Sequence, residues 1–462
     1  MGLNESSSFF ASLRRRLFID SLRQTAARNM GVSLLVKLLS LASGLLTQLV
    51  LARLLGVAEF GVYAFVWAIF LTCLIVCTWG FPISAIRFVA SYQSQAEWPL
   101  LRGFIRQARL LVLGISLLVA VVGAGILPWL SNQRLIDPAL GQHISLALLL
   151  LPLYALLEVQ AGILRGANQL LLALLSQNVF FHLFTAGLVQ LSLLVIDGLT
   201  VNRAILLSGG GIAFTVIIQH FLIVRRLPAL IWYAPSTFQT REWLRVSGVL
   251  MVGTGLEQLM RQLDVLVLGS LVGTTASGIY VVAARFASLV NVGLQISNQS
   301  TAHLYPSLYV EKRTSDLQKV VSFTTLVTVV TTLPLVLALI FWPQQILGWF
   351  GETFAVEGAL VIQILLFGQF INALSGPNGV LMQMTNHQDE MVWIIAIACV
   401  LQFILLTIFA LRFGLVGVAL ATSVTIAFRN IIVSLRVRRH LGINPTFFSR
   451  SIWRGILQAA RL

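Results

Sequence analysis

Charge is scarce in this chain. Asp, Glu, Lys and Arg make up 10% of the 462 residues, against about 25% in a typical soluble domain. With 58% hydrophobic residues and a mean hydropathy of +0.90, an ordinary soluble fold is excluded. Acidic residues are the rarer sign: 16 Asp and Glu stand against 31 Lys and Arg, a formal charge of +15. That balance could suit nucleic acid, but no aromatic-basic recognition module is present. The arginines cluster beside apolar runs instead, as the positive-inside rule expects of a membrane protein.

Cysteine is nearly missing as well. Cys73, Cys77 and Cys399 lie in apolar segments with no histidine at ligand spacing, so neither a disulfide framework nor a metal site is expected. There is no Walker loop, zinc motif or Ser/His/Asp spacing, and no loop exceeds roughly 20 residues. Catalytic residues and cofactors are therefore not expected, and the chain reads as a non-enzyme. Residues 1–30 also lack the apolar stretch of a cleaved signal peptide.

Apolar runs near the roughly 20 residues that cross a hydrocarbon core are plentiful. About twelve can be marked: near 31–55, 62–86, 108–129, 144–164, 172–196 and 204–224, then near 246–271, 277–303, 319–342, 357–381, 391–411 and 414–434. They predict an all-α polytopic membrane protein. If the spans alternate, the bases at Arg14 to Arg28, Arg102 to Arg109, Arg225 to Arg245, Lys312 to Lys319 and Arg436 to Arg439 share one side, which is then cytoplasmic, with both termini. The loop from Met382 to Glu390 fits less well, since it falls on that side without a Lys or Arg.

Six spans per half start both halves on the same side, predicting two parallel six-helix repeats about an axis along the membrane normal, with a central cavity between them. The division is a basic N-terminal segment (1–30), an N-terminal lobe (31–226), a linker (227–245), a C-terminal lobe (246–434) and a basic tail (435–462). Residues 9–28 and 446–462 mix arginines with Phe, Leu, Ile and Trp, a pattern that suits helices lying on an anionic leaflet. The repeat is also visible in sequence: LARLLGVAEFGVY from Leu51 aligns without a gap on LGSLVGTTASGIY from Leu268, matching Gly56 to Gly273, Gly61 to Gly278 and Tyr63 to Tyr280.

Ionisable residues inside spans face a bundle interior or a watery cavity far more often than lipid. Here they are Lys37, Glu158, Glu257, Arg261, Asp264 and Arg285. Glu257, Arg261 and Asp264 fall at i, i+4 and i+7, a stripe on one helix face, and Asp264 and Arg285 are expected at similar depth on either side of Gly273. Two readings follow. The charges could pair and lock spans 7 and 8 together, or the arginines could receive an anionic group, for which the two-pronged guanidinium suits phosphate, while Glu257 and Asp264 gate or couple. Gln258 and Asn291 could hydrogen-bond a sugar or join helices. The Gly376-Pro377-Asn378-Gly379 run is expected to break its span at a cavity or hinge.

Four patches carry a family resemblance. They are Leu51-Ala52-Arg53-Leu54-Leu55-Gly56 followed by Glu59-Phe60-Gly61-Val62-Tyr63; Gly80 with Arg87-Phe88-Val89-Ala90; Leu164-Arg165-Gly166-Ala167-Asn168-Gln169; and Gly376-Pro377 continuing to Leu381 and Met384-Thr385-Asn386-His387. In order and spacing they resemble the polysaccharide transporter, or Wzx-type, flippases of the multidrug/oligosaccharidyl-lipid/polysaccharide exporter superfamily. Asn386 departs from the glycine expected there. The resemblance implies alternating access in a bacterial inner membrane and movement of an isoprenoid-pyrophosphate-linked oligosaccharide to the outer leaflet. Membrane lipids and a polysaccharide polymerase or other assembly proteins would be its partners, not nucleic acid. The alternatives are an ion-coupled drug exporter of the same superfamily, which would want a net acidic cavity, and a membrane glycan polymerase or glycosyltransferase, which would want paired acidic catalytic residues.

Overall fold

The computed structural model describes residues 3–195, 198–449 and 452, with side chains from Leu35 onward except at 299 and 300. The side chains of 9–28, and the tail beyond Ser449 apart from Ile452, lie outside the described residues, and with them the two expected interfacial helices.

Eight helices among the described residues are long and apolar enough to cross a membrane. Two of them are double. Leu35–Thr78 is broken at Gly56, whose φ of 73° and ψ of 171° are open to glycine and to few other residues. A straight helix would set Thr47 and Phe70 roughly 35 Å apart. Yet Thr47 bonds the carbonyl of His182 at 2.9 Å, and the Tyr154 ring packs on both Phe181, at 6.1 Å, and Phe70, at 5.4 Å. The chain therefore folds back at Gly56. The same argument applies to Gln388–Leu441, broken at Gly414 (φ 57°, ψ −133°): Gln402 and Thr422, roughly 30 Å apart in a straight helix, meet the same Asp264–Tyr280 pair.

With these divisions, spans 1 and 2 are 35–55 and 57–78, and spans 3 to 6 are Trp98–Asn132, Pro138–Gly166, Leu170–Ser192 and Val201–Arg226. Span 7 is Thr240–Leu271, interrupted chemically by its charged stripe, and span 8 is the bent pair Thr274–Leu289 and Asn291–Asn298. Spans 9 and 10 are Thr314–Phe341 and Glu352–Leu374, and spans 11 and 12 are 388–413 and 415–441. The molecule is an all-α polytopic membrane protein.

The sequence repeat has a spatial counterpart. Gly273 (φ 135°) breaks spans 7 and 8 where Gly56 breaks spans 1 and 2, and the partners Gly61 and Gly278 pack on each other, with room for no Cβ on Gly278 within 2.8 Å of the Gly61 Cα. Backbones can approach this closely only through residues without side chains. The turn of the first half thus inserts Leu51, Ala52, Leu55 and Phe60 into the core of the second.

Two segments singled out in the sequence have tertiary partners. The linker 227–245 packs on the first half: Ile231 and Trp243 belong to that half's core, and Trp243 donates to the Tyr92 hydroxyl at 2.9 Å while the Thr237 amide donates to the Pro99 carbonyl. The Gly376-Pro377 break, where a cavity or hinge is expected, is itself packed against protein. Both residues are buried, a Cβ on Gly376 would collide with Thr325 and the Pro445 carbonyl, and Asn378 bonds Asn430 and Ser434 of span 12. Packing against protein satisfies the freed backbone there. The loop that lacked positive charge is also explained, because Glu390 sits 2.8 Å from both Arg436 and His440 at the end of span 12.

Candidate functional site

Arg285 lies twelve residues into span 8 beyond Gly273, and Gly44 lies twelve residues before Gly56 in span 1, so each is roughly 18 Å from the end of the bundle where those breaks sit. The two meet. The Arg285 guanidinium fills the space that a side chain on Gly44 would take, beside the imidazole of His182 from span 5. Lys37 lies within electrostatic reach of Arg285. Arg285 and the His182 imidazole, one from each half, therefore share one place, with Lys37 within electrostatic range of it. Neither Lys37 nor Arg285 makes an ion pair among the described residues, and the Arg285 Nε is buried without a partner. A buried donor left in that state costs on the order of 1–3 kcal/mol, more when charged, which an anion would recover.

The bend after Leu289 holds this arrangement. The Asn291 amide donates to Gln369 at 2.8 Å and its oxygen accepts from Asn372 at 2.8 Å, so Asn291 ties span 8 to span 10 one and a half turns beyond Arg285. Its side chain is already engaged.

A second group lies on span 7. Arg261 is held by Gln258 at 2.8 and 3.1 Å and stands 4.0 Å from Glu257, with 59% of the arginine side chain and 38% of the glutamate exposed. Both side chains are therefore only partly covered by protein. Arg429 of span 12 reaches the same group electrostatically.

Asp264 does not pair with Arg285. It accepts from the Tyr280 hydroxyl at 2.6 Å and from the Gln402 amide at 2.7 Å, and Tyr280 also meets Thr422 at 3.0 Å. With 8% of its surface exposed, Asp264 is enclosed by neutral groups of spans 8, 11 and 12. The stripe on span 7 splits because Asp264 rotates one turn further into the second half, whereas Glu257 and Arg261 remain at its open side.

His182, Gly44 and Arg429 were not among the expected site residues. Arg429 was legible, being an arginine inside an apolar run, but His182 and Gly44 gain meaning only through Arg285. Among the described residues no group of three His, Cys, Asp or Glu side chains could hold a metal ion.

The sequence matches the polysaccharide biosynthesis protein family over residues 26–308, more than half of the chain, and the MatE family over residues 250–408. No curated protein sequence matches it. Among solved structures, an inward-facing multidrug resistance MATE family transporter of the MOP superfamily superposes with a TM-score of 0.74 at 15% identity, covering 87% of this chain and 94% of its own. The lipid II flippase MurJ in an inward closed conformation gives 0.68 at 16% identity, with 87% of each chain covered. An outward-facing multidrug resistance MATE family transporter gives 0.65 at 15% identity, covering 89% of this chain and 94% of its own. At such identities the likeness is one of fold.

Proposed function

The chain belongs to the polysaccharide biosynthesis protein family, of the polysaccharide transporter type within the multidrug/oligosaccharidyl-lipid/polysaccharide exporter superfamily, and on that premise we propose that it flips an isoprenoid-pyrophosphate-linked oligosaccharide across the bacterial inner membrane. The observation that carries this reading is Arg285, a half-buried guanidinium with no acidic partner among the described residues, beside His182 and within electrostatic range of Lys37 where the two halves meet. A pyrophosphate is a dianion or more and suits a forked donor backed by a point charge. Arg261 and Arg429, balanced by one carboxylate, extend the basic surface along span 7. The drug-export reading draws support from the MatE match, but a cationic drug would meet unpaired bases at Arg285 and Lys37.

Asp264 supplies the coupling in this proposal. A carboxylate enclosed by neutral donors must be compensated by a proton or a small cation, and its ligands come from spans 8, 11 and 12, so occupancy would set how those spans pack on span 7. Gly376 and Pro377, buried at the far end of the same bundle, would transmit rather than contact the substrate.

Cells lacking the protein are expected to accumulate lipid-linked oligosaccharide on the inner leaflet and to lose surface polysaccharide. Complementation with a Glu352→Cys form reads orientation in the same cells: the proposed cytoplasmic termini require an impermeant thiol reagent to label position 352 from outside. Normal surface polysaccharide in the deletion strain would remove the proposed function, and labelling only after permeabilisation would reverse the topology.

A further inference from the structure

The first half holds a polar group that the anion site does not use. Span 5 is not a regular α-helix: Leu175–Phe180 forms a π turn, a local widening that recurs at functional sites. It turns Gln177 toward span 4, where the Gln177 amide donates to Glu158 Oε1 at 2.6 Å and its oxygen accepts from the Arg165 guanidinium. One helical turn before Glu158 the Tyr154 ring is packed in edge contacts with Trp67 at 6.0 Å, Phe70 at 5.4 Å and Phe181 at 6.1 Å.

This group is incomplete. Glu158 Oε2 has no partner among the described residues, and Arg165 Nε is buried with none. All three polar side chains are half-buried, and a glutamate inside a span is held there by a protein-lined polar space, not by lipid. Its net charge is zero, which argues against both an anion and a free cation as occupant. An unfilled acceptor beside an unfilled donor is what adjacent hydroxyls on a sugar ring require: the carboxylate accepts and the guanidinium donates.

We infer that Glu158, Arg165 and Gln177 form a carbohydrate subsite that receives the glycan of the lipid-linked substrate while Arg285 and Lys37 hold its pyrophosphate. The subsite rests on the proposed flippase reading and assigns the substrate's neutral sugar portion to the first half. The anion is then read at the meeting of the halves, and the sugar beside the π turn.

The test uses purified full-length protein in lipid nanodiscs and two probes: undecaprenyl pyrophosphate, and the lipid-linked oligosaccharide extracted from cells lacking the transporter. The wild type is expected to bind the glycosylated lipid more tightly. Glu158→Gln, close in shape to the native side chain, is expected to weaken the glycosylated lipid about tenfold, the order of one lost charge-assisted hydrogen bond, and to leave undecaprenyl pyrophosphate unchanged. Arg165→Lys carries the same expectation should the first variant not fold. An unchanged preference for the glycosylated lipid in a folded variant overturns the subsite, as does equal weakening of both probes, which marks a structural role. Failure of the wild type to bind either probe overturns the flippase reading itself.

Discussion

Arg285→Ala is expected to abolish glycan export, by roughly 100-fold or more, while the folded protein remains in the membrane. Truncating one member of a desolvated charge contact typically costs about 2–5 kcal/mol of binding, and the proposed contact here is with the substrate, since among the described residues no carboxylate meets this guanidinium. Removing it strands no partner. The melting temperature should therefore hold or rise, whereas a structural ion pair broken on one side would lose about 3–5 kcal/mol of stability. Arg285→Lys should restore export in part, because a point charge replaces a two-pronged donor. Surface polysaccharide and melting temperature, measured on the same variants, separate the two roles. Full export by a folded Arg285→Ala protein would remove the anion site.

Asp264 gives the second large effect, of opposite kind. Asp264→Asn keeps an oxygen for Tyr280 and nearly the native shape, so the protein should fold. It cannot take up a proton or hold a cation through a negative charge, and transport driven by an ion gradient should fall by about tenfold or more. Asp264→Leu is expected to add a folding defect of roughly 1–3 kcal/mol, since two hydrogen bonds at about 0.5–1.5 kcal/mol each are lost, the Tyr280 hydroxyl keeping Thr422 and the Gln402 amide keeping the Met260 carbonyl. Gradient-dependent uptake into vesicles would show the difference. A fully gradient-responsive Asp264→Asn protein would assign Asp264 to packing alone.

Much of the architecture was legible because bilayer thickness imposes a length on every apolar run, and glycines mark where the chain reverses. Gly56 and Gly273 were readable as equivalent breaks before any geometry, and their backbone angles explain why glycine stands there. The depth of Arg285 was readable too, from its distance beyond Gly273. Partners were not. The spacing of Glu257, Arg261 and Asp264 fixes a helix face, but which neighbour lies against that face depends on how distant spans rotate. Asp264 meets Gln402, and its partner Tyr280 meets Thr422, more than a hundred residues later, and no local pattern points to them. The break at Gly376 shows the same limit: sequence located it, and only tertiary contacts with Thr325 and Pro445 show that protein fills the gap. The π turn at Leu175–Phe180 left no signal at all, because LSQNVF is compatible with an ordinary helix.

Reconstituted transport separates glycan flipping from drug export. The purified chain is placed in liposomes with a fluorescent undecaprenyl-pyrophosphate-linked oligosaccharide in one leaflet, and its appearance in the other is followed alongside uptake of a fluorescent cationic drug. The pyrophosphate-linked glycan is expected to cross at a rate that collapses in Arg285→Ala, with no drug uptake above that of empty liposomes. Drug accumulation without glycan movement, unaffected by Arg285→Ala, would contradict the flippase reading.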